Sequence, residues 1–316
     1  MNSSSTTHWD VVIVGGGSAG LSAALILARA RRRVLVLDGG EPRNRFAPHM
    51  HGVLGRDGAS PLDLLADGRR EVRAADGVIE SARVATLARS AEGGFELVTE
   101  GGDRHRASRV IVATGIRDQL PAVAGLAEQW GRGAVACPYC DGYEARNRRI
   151  GVLLGAPASA HKAHMLRAYS PEVTVLTGLA GALPEADLPA LAARGIRVDD
   201  RAIAAVTSHG DVLTGVEFSD GQRLDLDVLF VDPVMTPLDG LLRQAGVTTT
   251  DTPAGPWPAT DAGYQTSVPG LFAIGNVANP SALVPLAMAA GVTAATTINA
   301  ELVADDIATA LAAVAR

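Results

Sequence analysis

The chain has 316 residues, of which 47% are apolar and 20% are charged, and its 28 basic and 34 acidic side chains give a formal net charge of −6. This composition is typical of a folded protein with a substantial core and excludes a disordered chain. The acidic balance and an aromatic content of 4% argue against a nucleic-acid-binding surface. The length predicts two domains.

The N-terminal residues contain no basic segment followed by an apolar run, so the sequence predicts no secretory signal and a cytoplasmic location. Two uncharged stretches, residues 11–28 and 262–300, are interrupted by glycine, proline or asparagine. A lipid-facing helix is more uniformly apolar. We therefore expect both stretches to lie in a protein core and expect no membrane partner.

The first motif is a predicted buried strand at residues 9–14, followed by a G-x-G-x-x-G turn at 15–20 and an apolar helix over 21–30. A second strand at 34–37 ends at Asp38. The glycines permit a tight turn and let a pyrophosphate approach the helix N-terminus, and an acid in this position accepts hydrogen bonds from a ribose. The segment predicts a dinucleotide-binding site.

The rest of the chain repeats this pattern around an insertion. Residues 39–61, rich in Gly, Pro, Arg and His, are predicted to form a long loop over a ligand, and the strand that starts at Arg109 ends in the small residues 113–115. A second strand–turn–helix unit begins at 149–155, and residues 266–276 combine a turn, a strand and a polar end before an Ala-rich helix. The pattern predicts one nucleotide domain interrupted by another.

Both cysteines lie in one Cys-Pro-Tyr-Cys motif, as Cys137 and Cys140. In a chain without a visible signal peptide, C-x-x-C indicates redox or metal chemistry. An accidental pair of buried thiols is one alternative. Zinc is another, with His161 and His164 downstream, but their spacing is short for a finger and a predicted strand intervenes. We favour a dithiol/disulfide pair without a metal, with Cys137 at the start of a turn or helix that stabilises its thiolate.

Taken together, these landmarks resemble the low-molecular-weight thioredoxin reductase family over nearly the whole chain. The resemblance rests on the 15–20 turn with Asp38, on Ala113-Thr114-Gly115, on the cysteine pair followed by Asp141-Gly142, and on residues 266–276. It implies an α/β fold of two Rossmann-like domains, the second inserted in the first, and a homodimer. Residues 1–117 and 237–316 would form the FAD-binding domain, and 118–236 an NADPH-like domain carrying the redox pair.

By this resemblance the cofactor is FAD, with Cys140 next to the flavin and Cys137 exchanging with substrate. Asp141 matches the position of the family's proton-transfer acid, although an aspartate in a surface turn is an alternative. The residues that the resemblance implies for FAD binding are Gly15, Gly17, Ser18, Ala19, Gly20, Asp38, Gly39, Arg43, Asn44, His51, Val84, Ala113, Thr114, Gly115, Gly275, Asn276, Leu283 and Val284.

The family pattern breaks in the inserted domain. The second dinucleotide turn should read G-x-G-x-x-A, but residues 155–160 read Gly-Ala-Pro-Ala-Ser-Ala, so Pro157 replaces the glycine that admits a phosphate. The arginines expected for the 2′-phosphate are absent from residues 177–181, and the next basic residue is Arg194. We therefore do not expect NADPH to serve as a substrate. The basic side chains that offer compensating charge are His161, Lys162 and His164.

Residues 130–144 look like the dithiol oxidase branch of the family, whose members close disulfides in natural products such as gliotoxin, holomycin and romidepsin. Two positions depart: this branch often has His where the chain has Asp141, and reductases have Asp where it has Asn276. We expect an FAD-dependent oxidase of a small-molecule dithiol, with O₂ as acceptor and H₂O₂ as product. The alternatives are a thioredoxin reductase that uses NADPH or ferredoxin, and a non-catalytic flavin redox sensor.

Overall fold

The computed structural model describes residues 8–155 and 159–315. Contacts divide the chain into a first unit, made of Met1–Arg43, Leu62–Arg117 and Met235–Arg316, and a second unit, made of Asn44–Pro61 and Asp118–Val234. The prediction for Pro157 concerns residues 156–158, which lie outside the described residues.

The strands within the described ranges are β1 (His8–Val14), β2 (Val34–Asp38), β3 (Val78–Ser81), β4 (Val84–Arg89), β5 (Phe95–Thr99), β6 (Arg104–Val112), β7 (Ile116–Gln119), β8 (Ala134–Val135), β9 (Ile150–Leu153), β10 (Val173–Leu176), β11 (Arg197–Asp199), β12 (Ile203–His209), β13 (Val212–Phe218), β14 (Arg223–Asp225), β15 (Val228–Val231), β16 (Val234–Pro237), β17 (Thr249–Thr252), β18 (Gly255–Pro258) and β19 (Leu271–Ala273). The α-helices are α1 (Ser18–Arg29), α2 (Pro61–Ala74), α3 (Leu126–Gln129), α4 (Pro138–Asp141), α5 (His161–Leu166), α6 (Leu188–Ala193), α7 (Gly240–Gln244) and α8 (Val284–Val314).

The first unit contains a sheet with the order β3-β2-β1-β6-β5-β4, in which β19 also pairs with β6. The central strands are parallel, and Ile13 of β1 is in register with Val36 of β2 and Ile111 of β6. All three side chains are fully buried. Strands covered on both faces read as continuous apolar runs, which is why β1 and β2 could be recognised in the sequence.

Helices α1 and α8 pack together in the first unit through small residues. A Cβ atom added at Gly291 of α8 would lie 2.3 Å from the carbonyl oxygen of Ala19 in α1, so the two backbones approach closely here. By length and composition, α8 is the one helix of the described ranges that could cross a membrane, but core helices pass the same test. Its first half buries alanines and Ile298, as a core helix does. Its second half carries exposed apolar side chains.

The second unit has its own parallel sheet, with the order β11-β10-β9-β15-β8, and an antiparallel sheet β12-β13-β14. The sequence analysis assigns residues 44–61 to the first domain, whereas in the structure they group with the second unit. The reason is local packing: Gly131 lies against Phe46, and the His51 ring lies 3.7 Å from the carboxylate of Glu144. Residues 39–60 contain no helix or strand, as the loop prediction requires.

We expect Gly291→Ala to destabilise the protein, because its methyl group would push α8 away from α1. Overpacking of this kind costs about 1–3 kcal/mol. Gly240→Ala, in α7, is a matched control, since no described atom lies within 4 Å of its added Cβ, and it should be neutral or slightly stabilising. Urea unfolding of the two variants measures the difference. Equal midpoints would contradict the close packing of α1 and α8.

Candidate functional site

The glycine turn after β1 leaves an open helix N-terminus. Gly15 has φ +109°, and a Cβ there would lie 2.5 Å from the carbonyl oxygen of Ala113. A Cβ at Gly20 would lie 1.9 Å from the oxygen of Gly15. Gly17, the N-cap of α1, has no described atom within 4 Å of its added Cβ and no side chain caps the helix. The first N–H groups of α1, beginning at Ser18, therefore face open space, which is the geometry of an anion site.

Asp38 borders this turn at the end of β2. Its carboxylate accepts hydrogen bonds from the N–H groups of Gly16 at 3.2 Å and Gly40 at 3.0 Å, and from the guanidinium of Arg69 at 2.7 Å. Burial alone would raise the pKa of Asp38, but the bonds from Arg69 and the two N–H groups outweigh it and hold that pKa below its ordinary value. Asp38 is thus ionised at neutral pH and keeps lone pairs for a ribose.

Two more predicted segments meet the glycine turn. The 113–115 turn continues β6: the N–H of Ala113 donates to the oxygen of Val14 at 2.8 Å, and the Thr114 hydroxyl donates to the oxygen of Leu238 at 2.7 Å. At the end of β19, a Cβ at Gly275 would lie 3.0 Å from that of Ala19. Gly115 and Gly275 have positive φ values of 75° and 68°, which glycine adopts without strain.

The structure explains why the chain has Asn276 in place of the family's aspartate. The side-chain N–H₂ group donates to the carbonyl oxygens of Asn279, Pro280 and Ala282 at 3.0 to 3.2 Å. A carboxylate would face these three acceptors without a proton to donate. The amide therefore stabilises the turn before α8 with its N–H₂ side, and its oxygen is the side that can accept from a cofactor hydroxyl.

The remaining residues implied for FAD binding are dispersed. Gly39 follows β2 beside Arg83, and Arg43 donates to the sulfur of Met235 at 3.7 Å. Val84 begins β4, and Leu283 and Val284 begin α8. Asn44 and His51 lie in the segment that groups with the second unit. Roles in cofactor binding stay predictions for this group. The glycine cradle, the ionised Asp38 and the 113–115 turn fit the phosphates and ribose of FAD.

The two cysteines form a disulfide, with Cα atoms 5.2 Å apart. Cys137 is the N-cap of the short helix α4, and its sulfur accepts a hydrogen bond from the N–H of Cys140 at 3.2 Å. A hydrogen bond of this kind stabilises a thiolate more than a thiol. In the reduced pair, it would favour Cys137 as the thiolate. Within residues 8–155 and 159–315, no three His, Cys, Asp or Glu side chains gather as a metal site.

Asp141 follows the second cysteine and is largely buried. Burial, together with the nearby charge of Glu144, raises the pKa of Asp141 to about 6, while His51 acts in the opposite direction. The carboxyl group therefore exchanges protons close to neutral pH, as an acid or base for thiol chemistry should. Perturbed carboxyl groups beside a reactive pair are typical of functional sites.

The second dinucleotide turn differs in its charges from the first. The chain's single lysine, Lys162, forms an ion pair with Asp232 after β15 and donates to the oxygen of Val231 at 2.9 Å. Arg194 donates to the oxygen of His164 at 2.7 Å. A Cβ at Gly155 would lie 2.8 Å from the oxygen of Asp232, so an acidic residue borders the turn.

Sequence reasoning missed four charged residues of these sites: Arg69, Asp57, Glu144 and Asp232. Arg69 reaches Asp38 across 31 positions from α2, a pairing that no local motif announces. Glu144 follows Asp141 by three residues, which is a same-face spacing on a helical turn, so a reading of that spacing could have found it. Asp232 follows a predictable buried strand, and acids at such strand ends are a usable signal.

Comparisons with known proteins agree with this geometry. The family model for pyridine nucleotide-disulphide oxidoreductases matches residues 9–291. The chain is 31% identical to thioredoxin reductase sirT of Leptosphaeria maculans, over 95% of this chain and 96% of that one. It is 31% identical to thioredoxin reductase tcpT of Claviceps purpurea, over 94% and 95%. The crystal structure of HlmI superposes with a TM-score of 0.93 at 40% identity over 98% of both chains. These matches confirm the resemblance and the two-domain α/β fold.

We expect Gly17→Val to fold normally but to lose FAD, because its side chain would enter the open space where the pyrophosphate should lie. Overpacking by about 1–3 kcal/mol corresponds to a roughly five- to 150-fold weaker affinity. Gly20→Val is the contrasting variant, since its Cβ would meet the protein's own backbone and should unfold the first unit. Flavin absorbance per protein and circular dichroism separate the two. Full FAD occupancy in Gly17→Val would show that the site is placed wrongly.

We expect Asp141→Asn to be more stable than the parent protein at pH 8 and equally stable at pH 4. The pKa of Asp141 is about 6 in the folded protein, above its ordinary value of 3.8. The protonated carboxyl group therefore makes its full contribution to the free energy of unfolding below about pH 4. This contribution is lost as the pH rises through 6. We expect a gain of roughly 1–2 kcal/mol, below the full shift because the site is not sealed from water.

Asp199→Asn supplies a control of opposite sign for this measurement, because the hydrogen bond from Arg201 lowers the pKa of Asp199. The Asp199→Asn variant should be less stable than the parent protein at pH 8, and this difference in stability should be smaller at low pH. Thermal unfolding from pH 4 to 8 records both. A pH-independent difference for Asp141→Asn would contradict the raised pKa.

Proposed function

The chain belongs to the pyridine nucleotide-disulphide oxidoreductase family, and from this premise we propose that it is an FAD-dependent oxidase that closes a disulfide in a small-molecule dithiol, with O₂ as acceptor and H₂O₂ as product. The coarser activity, that of a thioredoxin reductase-like flavin disulfide oxidoreductase, follows from the family. What we propose beyond this activity is that electrons flow from the substrate to O₂ and that the substrate is a small-molecule dithiol.

The observation that carries the proposal is the charge arrangement at the second dinucleotide turn. Lys162 is paired with Asp232, and Arg194 is bound to His164. Lys162 is one of the three basic side chains, with His161 and His164, that could offer compensating charge in place of the family's phosphate-binding arginines. Because the charge of Lys162 is paired with the Asp232 carboxylate, this lysine offers little uncompensated charge to an incoming phosphate. This supports an enzyme that does not draw electrons from NADPH.

The surroundings of the cysteines support a small apolar substrate. Tyr139, between the cysteines, is 68% exposed, and Tyr143 is 64% exposed. The guanidinium of Arg146 lies 4.1 Å from the centre of the Tyr143 ring. Aromatic faces next to a reactive sulfur suit the rings of a compact organic dithiol. Exposed aromatic side chains that lie close together are also typical of surfaces that bind other molecules.

The chain's own residues account for the thiol steps. A substrate thiolate attacks the sulfur of Cys137, the Cys137–Cys140 bond breaks, and Cys140 leaves as a thiolate. The second substrate thiol gives its proton to the Asp141 carboxylate and attacks the substrate sulfur of the mixed disulfide, so the product disulfide forms and Cys137 leaves as a thiolate. Bound FAD would supply the redox chemistry that connects the cysteine dithiol, as the source of the electron pair, to O₂ as the acceptor.

Two further expectations remain proposals. The exposed row Val303, Ile307, Leu311 and Val314, spaced along the second half of α8, is apolar surface that a second copy of the chain would cover, which supports a homodimer. A cytoplasmic location is proposed from the sequence alone.

We expect a reduced small dithiol to bleach the flavin under anaerobic conditions, and air to restore its absorbance with one H₂O₂ per disulfide. NADPH should act at least about a hundredfold more slowly, since two or three charge-assisted phosphate contacts of about 1.5–3 kcal/mol each are lost. Stopped-flow absorbance with dithiothreitol and with NADPH makes the comparison. Bleaching by micromolar NADPH within seconds would return the protein to the reductases.

Cys137→Ser is the control for the route of the electrons. It should keep FAD and remain yellow with the dithiol, because the exchange needs both sulfur atoms. Rapid bleaching of this variant would mean that the substrate reduces the flavin directly, without the cysteine pair.

A further inference from the structure

Two carboxylates and an imidazole form a chain of contacts beside the cysteine pair, entirely within the second unit. The Nδ1 atom of His51 is 3.3 Å from Oδ2 of Asp57, and its Nε2 atom is 3.7 Å from Oε1 of Glu144. The other oxygen of Asp57 accepts a hydrogen bond from the N–H of Gly52 at 2.8 Å. The His51 side chain is only 22% exposed, whereas both carboxylates reach solvent. We call Asp57, His51 and Glu144 the His51 cluster.

The contacts of the His51 cluster assign its protons. The hydrogen bonds from Gly52 and from His51 lower the pKa of Asp57, so Asp57 is an ionised acceptor and Nδ1 of His51 carries the donated hydrogen. The other ring nitrogen, Nε2, then faces Glu144. A carboxylate that bonds one nitrogen of an imidazole in this way fixes the tautomer and the orientation of the ring.

Glu144 connects the His51 cluster to Asp141. It follows Asp141 by three residues, and the N–H of Ala145 donates to the oxygen of Asp141 at 3.1 Å, so the chain continues in a helical turn that puts both carboxyl groups on one face. Their charges act on Asp141 in opposite directions, with Glu144 favouring its protonated form and His51 its ionised form. The titratable rings at this turn are Tyr139 and Tyr143, which are both exposed, and Tyr169, which packs against Gly142.

We propose that His51, oriented by Asp57 and paired with Glu144, is a positioning residue that sets the proton balance of Asp141 and thereby the pH range in which dithiol exchange runs. The inference rests on the proposed function, because Asp141 is the base of the resolving step. It also gives His51 a role beside the cysteines, with both ring nitrogens directed to residues of the second unit. The 3.7 Å between Nε2 and the Glu144 carboxylate is close enough for an ion pair when the ring is protonated.

The test is the pH dependence of cysteine-pair reduction by dithiothreitol in the FAD-loaded protein, mixed anaerobically between pH 5 and 9. Flavin absorbance is followed, and free cysteine thiols are trapped by alkylation in parallel. Each variant's rate is divided by the parent rate at the same pH, which cancels the ionisation of dithiothreitol. FAD content is measured first for every variant.

The variants should change this ratio in opposite directions. His51→Gln removes the coulombic effect by which His51 lowers the pKa of Asp141, so the rise in rate with pH should move upward by about half a unit, with roughly a threefold loss near pH 5.5 and none at pH 9. Asp57→Asn should shift it in the same direction. Glu144→Gln removes a negative charge and should give up to roughly a threefold gain near pH 5.5, again vanishing at pH 9.

His49→Gln is the matched control, because His49 lies on the same segment and its Nδ1 is 3.1 Å from the oxygen of Gly58; its ratio should stay near one at every pH. A ratio for His51→Gln that is lowered equally at all pH values would indicate a merely structural role and overturn the inference. Shifts of the same sign in His51→Gln and Glu144→Gln would also overturn it, as would loss of FAD with an unchanged profile.

This experiment separates the two levels of inference. Dithiothreitol exchange occurs in an oxidase and in a reductase alike, so the opposite shifts can appear even where O₂ turnover is absent. In that case the positioning role stands and the oxidase proposal fails. If the protein turns over with O₂ and a dithiol but the ratio of variant to parent rates does not change with pH, the oxidase proposal stands and the positioning role fails.

Discussion

The close approach of the glycine turn to the end of β6 is the constraint on which the first unit depends. Gly15 touches the Ala113 carbonyl and Gly20 touches Gly15, so neither position tolerates a side chain. Gly17 is different, since its surroundings are open. Two of the three motif glycines are therefore required by the protein's own backbone, whereas no such contact requires the third. This difference is what the predicted approach of a pyrophosphate to Gly17 would need.

The second unit carries the same kind of parallel sheet but has changed the charges at the matching turn. In the first unit, Arg69 holds Asp38 ionised next to an open helix N-terminus. In the second, the single lysine neutralises Asp232 and has little charge left for a phosphate. The same fold can therefore surround its two turns with different charges, and fold alone does not decide what each turn binds. Among the described residues, the two turns differ in the ion pair that borders each of them, Arg69 with Asp38 and Lys162 with Asp232.

Much of the fold followed from local patterns, because buried parallel strands and glycine turns have strong signatures. The β1–α1–β2 segment, the cysteine pair and the return of the chain after residue 266 were recognisable for this reason. Long-range side-chain pairings had no such signature: Arg69 joins Asp38 from a different helix, and Asn276 needed its three carbonyl partners to be seen. By their contacts, residues 44–61 group with the second unit, and local sequence patterns do not show this because tertiary packing decides which unit a loop joins.

That grouping matters for the chemistry of the thiols. The related branch often supplies an imidazole directly after the second cysteine, whereas this chain has Asp141 there and brings an imidazole from a segment about ninety positions earlier in the sequence. Because residues 44–61 belong with the second unit, His51 and the cysteines share one packed body. The effect of His51 on Asp141 requires the two side chains to stay close, since salt screens charges that are more than about 10 Å apart. The departure at position 141 and the placement of the loop thus have a single physical explanation. The acid beside the sulfur atoms is partly buried, and charges held next to it control its proton balance.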